Sequence, residues 1–155
     1  MVPSLVARAG EGGPTLALAP GEEAPALAAR GLVGGGFEMG IAAFFRALAR
    51  LGPKHLVVTN GAHGAFVASS AEILFAPALK TKVVGTAGAG DAFGATFAAY
   101  VALGQPIAEA LRAATINSAS VVGHIDTQSG MLRRDELDRR LAATPPQPAI
   151  RRWAS

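Results

Sequence analysis

The chain has 155 residues, half of them apolar and 16% charged, a composition that fits one globular domain and argues against disorder through most of its length. It contains no cysteine, which excludes disulfides and thiolate metal sites and fits a cytoplasmic protein. The net charge is +3, but the arginines at 133–134, 139–140 and 151–152 are interleaved with Asp135, Glu136 and Asp138, the pattern of a solvated helix face rather than of a nucleic-acid-binding stripe.

Residues 1–14 read as a flexible leader, broken by Pro3, Gly10, Gly12, Gly13 and Pro14 and lacking the charged-then-apolar layout of a secretion signal. Thr15 to Ala19 reads as a short strand, Glu22 to about Arg30 as a helix ending near Gly31, and Gly34 to Gly36 as a loop. Phe37 to Leu51 carries Ile41, Phe44, Phe45, Leu48 and Leu51 at helical spacing and stops at Gly52-Pro53. The apolar run Leu56 to Thr59 then reads as a buried strand, completing a β-α-β unit, the mark of a parallel sheet. It opens into a tight turn through Gly61 and Gly64 that an anion can approach. Ala65 to Ser69 and Ile73 to Ala76 read as an antiparallel excursion joined by a polar turn.

Val83-Val84-Gly85-Thr86-Ala87-Gly88-Ala89-Gly90-Asp91 is the most informative stretch, because an acid follows a glycine turn and leads an apolar helix. Ala92, Phe93, Phe97, Tyr100 and Val101 define that helix by their spacing. Small residues at Gly88, Ala89 and Gly90 let the backbone come close to a ligand, and the unpaired N–H groups of a helix start favour a phosphate there. Asp91 would repel that phosphate, so the pattern points to a base that takes a proton from a nucleophile, or else to a structural helix cap.

Gly104-Gln105-Pro106 separates this helix from a second, Pro106 to about Val122, and the two pair as a hairpin. Ile107, Leu111, Ala114, Ser118 and Val121 form its packing stripe, with Asn117 off the stripe. A last helix spans Asp135 to about Ala142, and 143–155 is a proline- and arginine-containing tail without a packing pattern. His55, His63 and His124 have no metal-ligand spacing, no P-loop or dinucleotide fingerprint occurs, and no apolar run is long enough for a membrane span.

Thr86, Gly88-Ala89-Gly90-Asp91 and Ala92-Phe93 resemble the C-terminal signature of the ribokinase-like carbohydrate kinases, the PfkB family. Leu56-Val57-Val58-Thr59-Asn60-Gly61-Ala62-His63-Gly64 resembles the family's strand and Thr-x-Gly-x-x-Gly turn, and Pro20-Gly21-Glu22-Glu23 its Asn-x-x-Glu segment. The resemblance covers residues 15–142, which it makes a nucleotide-binding and catalytic domain, and implies a ribokinase-like α/β fold, a three-layer αβα sandwich on a mostly parallel sheet, present here as the C-terminal half only. It implies an ATP-dependent kinase that uses Mg2+ and phosphorylates a hydroxyl of a sugar or nucleoside. Asp91 would be the base and Gly88, Ala89 and Gly90 the anion hole. Thr59, Gly61 and Gly64 would meet the nucleotide phosphates, Asn117 the adenine, and Glu22 a magnesium-bound water. Three positions depart from the pattern: Gly85 replaces an Asp of a monovalent-cation site, so potassium activation is not expected; Ala19 replaces an Asn; Ala87 replaces a Thr. Nothing resembles the family's sugar-binding half, so the expected partners are a homodimer or that missing half. The alternatives are an inactive nucleotide-binding module and an interaction domain.

Overall fold

The computed structural model describes residues 6–8, 15–18, 45, 46, 49, 53–143, 146 and 148–153. The chain divides into two compact units, residues 1–75 with 152–155 and residues 76–151, where the sequence suggested one domain over 15–142. The division follows the packing: strands bond to strands in the first unit, and helices pack on helices in the second.

The first unit carries a six-stranded sheet in the order β1 (Val6–Arg8), β2 (Thr15–Leu18), β3 (Leu56–Thr59), β4 (Ala65–Ala68), β5 (Ile73–Ala76) and β6 (Arg151–Trp153). β2 pairs in parallel with β3, Leu16 opposite Leu56, while β1–β2 and β3–β4 are antiparallel. The sheet is therefore mixed in these pairings. Strands run parallel where a long connection separates them, within which Phe45, Arg46 and Ala49 are helical, and antiparallel where a short one does. β3 and β4 are apolar along nearly their whole length and almost fully buried, as expected of strands covered on both faces. At the β4–β5 turn the Ser69 hydroxyl accepts the Ala71 and Glu72 amides at 3.2 and 3.3 Å, fixing the hairpin.

Both ends of the chain correct the sequence reading. β1 lies inside the stretch expected to be a flexible leader: strand pairing satisfies main-chain groups and needs no side-chain pattern to announce it. The tail expected to lack packing supplies β6, where Trp153 sets its ring edge against Phe66 at 5.3 Å and Phe75 at 5.8 Å. Arg152 adds an ion pair with Glu72 at 2.8 Å. These partners lie some eighty residues upstream, out of reach of any local pattern. The helix expected from Glu22 to Arg30, the loop at 34–36 and most of the helix expected over 37–51 lie outside the described residues.

The second unit contains α1 (Ala89–Ala102), α2 (Ile107–Val121) and α3 (Arg134–Leu141). α1 buries Ala92, Phe93, Thr96, Phe97 and Tyr100, the face its spacing predicts. It ends in a Schellman turn: Gly104, at φ 75°, donates to the Val101 carbonyl and Gln105 to that of Tyr100, both at 3.0 Å. On α2, Leu111, Ala114 and Val121 are wholly buried, and burial extends over every residue from Ala110 to Asn117. The small side chains there let α1 and α3 approach from different directions. Arg112 grips both carboxylate oxygens of Glu109 at 2.9 Å and donates to the Leu141 carbonyl at 2.9 Å, tying α2 to the end of α3.

The Tyr100 hydroxyl donates to Asp138 Oδ1 at 2.5 Å, joining α1 to α3. Burial, then that hydrogen bond and the carboxylate's charge, push the phenol up to about 12. Because the folded value lies above the unfolded one, the contribution to stability is complete below the phenol's ordinary range and lost as pH rises through about 12. Tyr100 is the chain's single tyrosine, so tyrosinate absorbance reports it alone. The expected titration has its midpoint near 12 in the folded chain and falls to about 10 after denaturation.

Candidate functional site: the glycine turn at the head of the first helix

Gly88 begins α1 in the left-handed conformation, φ 78°, and its carbonyl accepts the Ala92 amide at 2.9 Å. A side chain at Gly88 is barred twice, by that φ and because a Cβ would stand 2.9 Å from Thr127 Cβ and Cγ2. Ala89 N–H makes one long bond to the Thr86 carbonyl, 3.4 Å, and the amides of Gly90 and Asp91 have no acceptor among the described residues. These are the donors that a helix start leaves over, and no side chain caps them. The space beside Gly90 is open: a Cβ there would meet nothing within 4 Å.

Asp91 lies in the first turn of α1, exposed, with no hydrogen bond or ion pair among the described residues. The capping position belongs to Gly88, so the reading of Asp91 as the helix cap does not hold.

Behind the turn, Val84 and Gly85 donate to the Val122 carbonyl at 2.8 and 3.2 Å. A Cβ at Gly85 would come within 2.9 Å of the His124 carbonyl oxygen and 3.3 Å of that of Ile125. An aspartate at position 85, the family's usual residue, therefore does not fit this packing, and glycine lets the two loops touch directly. The 124–131 loop is fixed by Asp126, whose Oδ1 accepts the Gln128 and Ser129 amides at 2.8 and 2.7 Å. Those bonds, that to Ser129 foremost, hold the carboxyl down at about 2.

In the first unit, Thr59, Gly61 and Gly64 form the turn after β3. Gly64 combines φ 111° with ψ −155°, a conformation open to glycine alone, and its carbonyl accepts the Asn60 amide at 2.8 Å. Gly61 and Ala62 are exposed, and their amides have no acceptor among the described residues. Thus Gly88, Ala89, Gly90 and Asp91 form one turn and Thr59, Gly61 and Gly64 another. Glu22, expected at the magnesium site, lies outside the described residues.

Asn117 requires a correction. Its side chain is 3% exposed; Nδ2 donates to Thr96 Oγ1 at 2.8 Å and Oδ1 accepts the Leu132 amide at 2.9 Å. It knits α1, α2 and the approach to α3 together, so no base can reach it. Asn117→Ala is expected to cost about 1–3 kcal/mol by leaving buried partners unpaired, and to leave ATP affinity unchanged in a titration of the folded variant. The sequence reading also missed Asp126 and Thr127. An Asp two and three residues ahead of the loop amides it accepts is a recognisable turn signal, but the approach of Thr127 to Gly88 is purely tertiary.

A turn of free amides at a helix start can hold an anion such as a phosphate. The fold agrees: it matches that of ribokinase from Arabidopsis thaliana, solved with ribose and ATP, at a TM-score of 0.68 and 26% identity over 84% of this chain and 41% of that one. The chain belongs to the pfkB family of carbohydrate kinases, whose family model matches residues 22–134. It is 37% identical to ribokinase of Bacillus subtilis over 91 residues, 58% of this chain and 31% of that protein. To 1-phosphofructokinase of Haloferax volcanii it is 39% identical over 77 residues, 50% of this chain and 25% of that protein. The chain thus spans a quarter to a third of the length of these relatives. Among the described residues, no helix is long and apolar enough to cross a membrane.

Proposed function

We propose that this chain supplies the phosphate-binding turn and the base of an ATP-dependent kinase acting on a hydroxyl of a sugar or nucleoside. The observation that carries the reading is the conjunction at one turn: donors without acceptors at Gly90 and Asp91, open space over Gly90, and an unpartnered carboxylate on Asp91. The amides of Ala89, Gly90 and Asp91 would hold the terminal phosphate of ATP and stabilise the charge that spreads over its oxygens during transfer. Asp91 would take the proton of the acceptor hydroxyl as its oxygen bonds to phosphorus and the bond to the leaving ADP breaks. In the first unit, the exposed amides of Gly61 and Ala62 are donors of the same kind. Mg2+ would neutralise phosphate charge, and Glu22 is the residue proposed to order its water.

Gly90 gives the test, because fold and function make opposite demands there. Gly90→Ala places a methyl group in open space on a helix and is expected to raise stability by about 0.4–1 kcal/mol. The same methyl group intrudes where the phosphate lies, and ATP binding is expected to weaken by about 10- to 100-fold, equivalent to roughly 1.5–3 kcal/mol of charge-assisted hydrogen bonding. Calorimetric titration with ATP beside a melting curve separates the two effects. Unchanged ATP affinity in the stabilised variant sinks the assignment.

Gly85, where the packing leaves no room for an aspartate, favours a second reading, a nucleotide-binding module without catalysis. ATP binding with no transfer to any of a panel of sugars and nucleosides is its expected signature.

A further inference from the structure

The 84–88 segment that leads into the anion turn lies along residues 122–127 of the same unit, bonded at Val84 and Gly85 and close to the Thr127 side chain at Gly88. Three fixings hold that second loop: the two amides on Asp126 Oδ1, the Met131 amide on the Gln128 carbonyl at 2.9 Å, and the His124 ring nitrogen Nδ1 against the Ser120 carbonyl at 3.0 Å. Gly130 seals it against α2, where a Cβ would be 2.6 Å from Val121 Cα. Asp126 and Thr127 are nonetheless exposed, so core burial does not account for them. Their shared consequence is the position of Thr127, whose Cβ and Cγ2 back the α-carbon of Gly88.

We propose that Asp126 and Thr127 are positioning residues for the anion turn: Asp126 folds its own loop, the loop sets Thr127 behind Gly88, and Gly88 is thereby held in the left-handed conformation that turns the Gly90 and Asp91 amides outward. The inference rests on the kinase reading for its purpose, though not for its geometry. Asp126 does not contact the phosphate. Its negative charge is directed at the Gln128 and Ser129 amides and stays ionised across the neutral range, so the brace does not loosen at working pH. Thr127 supplies a branched side chain beside Gly88, where the absence of a Cβ leaves room for it.

The test compares the isotope-labelled chain with Asp126→Ala, Asp126→Asn and Thr127→Gly. The Ala92 amide, bonded to the Gly88 carbonyl, reports the turn, and buried α2 amides such as that of Leu111 report the fold as a whole. In Asp126→Ala and Thr127→Gly, Ala92 is expected to exchange about tenfold faster while α2 protection holds, and titrated ATP to bind about tenfold more weakly. Asn keeps an oxygen for the same two amides, so Asp126→Asn is expected to restore both. Unchanged Ala92 exchange in the Ala and Gly variants overturns the proposal, as does a uniform loss of protection, which makes the loop an ordinary part of the fold. A parent chain that binds no ATP sinks the kinase reading instead, and the exchange rate of Ala92 still decides the brace.

Discussion

Asp91→Asn is expected to lower phosphoryl transfer by about 10²- to 10⁴-fold, with ATP affinity held within about twofold. Asn matches Asp in shape and the position is exposed on the first turn of α1, so neither packing nor the backbone amides are disturbed. Loss of a negative charge near a helix start costs about 0.3–1 kcal/mol of dipole interaction, and removing its repulsion toward a phosphate acts in the opposite sense for binding. What the substitution takes away is the ability to accept a proton. Rate and affinity therefore separate, and steady-state kinetics beside calorimetry measures both. A variant that transfers phosphate at the parent rate would show that Asp91 is not the base, whatever the amides do.

Phe97→Ala is expected to destabilise the second unit by about 3–5 kcal/mol, a large share of the roughly 5–15 kcal/mol that holds a typical domain together. Phe97 is 1% exposed and belongs to the buried face of α1. In a close-packed interior the vacated volume is only partly refilled, and the cavity term is added to the lost transfer energy. Urea denaturation followed by circular dichroism reads the change as a lower midpoint. Because α1 also presents Gly90 and Asp91, partial unfolding of this helix should weaken ATP binding in step with the population unfolded. A cost below about 1 kcal/mol would mean that the packing around Phe97 is far looser than its burial indicates.

Much of the fold was legible because its signals are local. Helical spacing from Ala92 to Tyr100 and the Gly104-Gln105-Pro106 break place α1 and α2 within a few residues of where they stand. The apolar run at 56–59 marks β3 to the residue. Boundaries of α3 shifted by a single residue at each end, since its charged i, i+4 pairs do not depend on where the last hydrogen bond falls. β1 and β6 were illegible for the opposite reason. One is made by main-chain pairing to the neighbouring strand β2, which leaves no side-chain pattern, and the other by a tryptophan packing on phenylalanines far upstream.

The candidate site divides in the same way. Gly88 to Asp91 could be recognised because a small-residue turn followed by an acid and an apolar helix is contiguous in the chain. Asn117 could not be placed, because whether an amide faces a ligand or a neighbouring hydroxyl is settled by what lies across from it, here Thr96 and the Leu132 amide.

By itself the sequence determined that an acid stands behind a glycine turn at the head of an amphipathic helix, and that strand and turn precede it in the order of one kinase family. Only the tertiary structure decided that Gly88 rather than Asp91 caps the helix, that the Gly90 and Asp91 amides have no acceptor among the described residues, that Asn117 is structural, and that Thr127 backs the turn. Residue type and spacing fix what a short segment can do. Which of its polar groups stay free is fixed by partners that arrive from elsewhere in the chain.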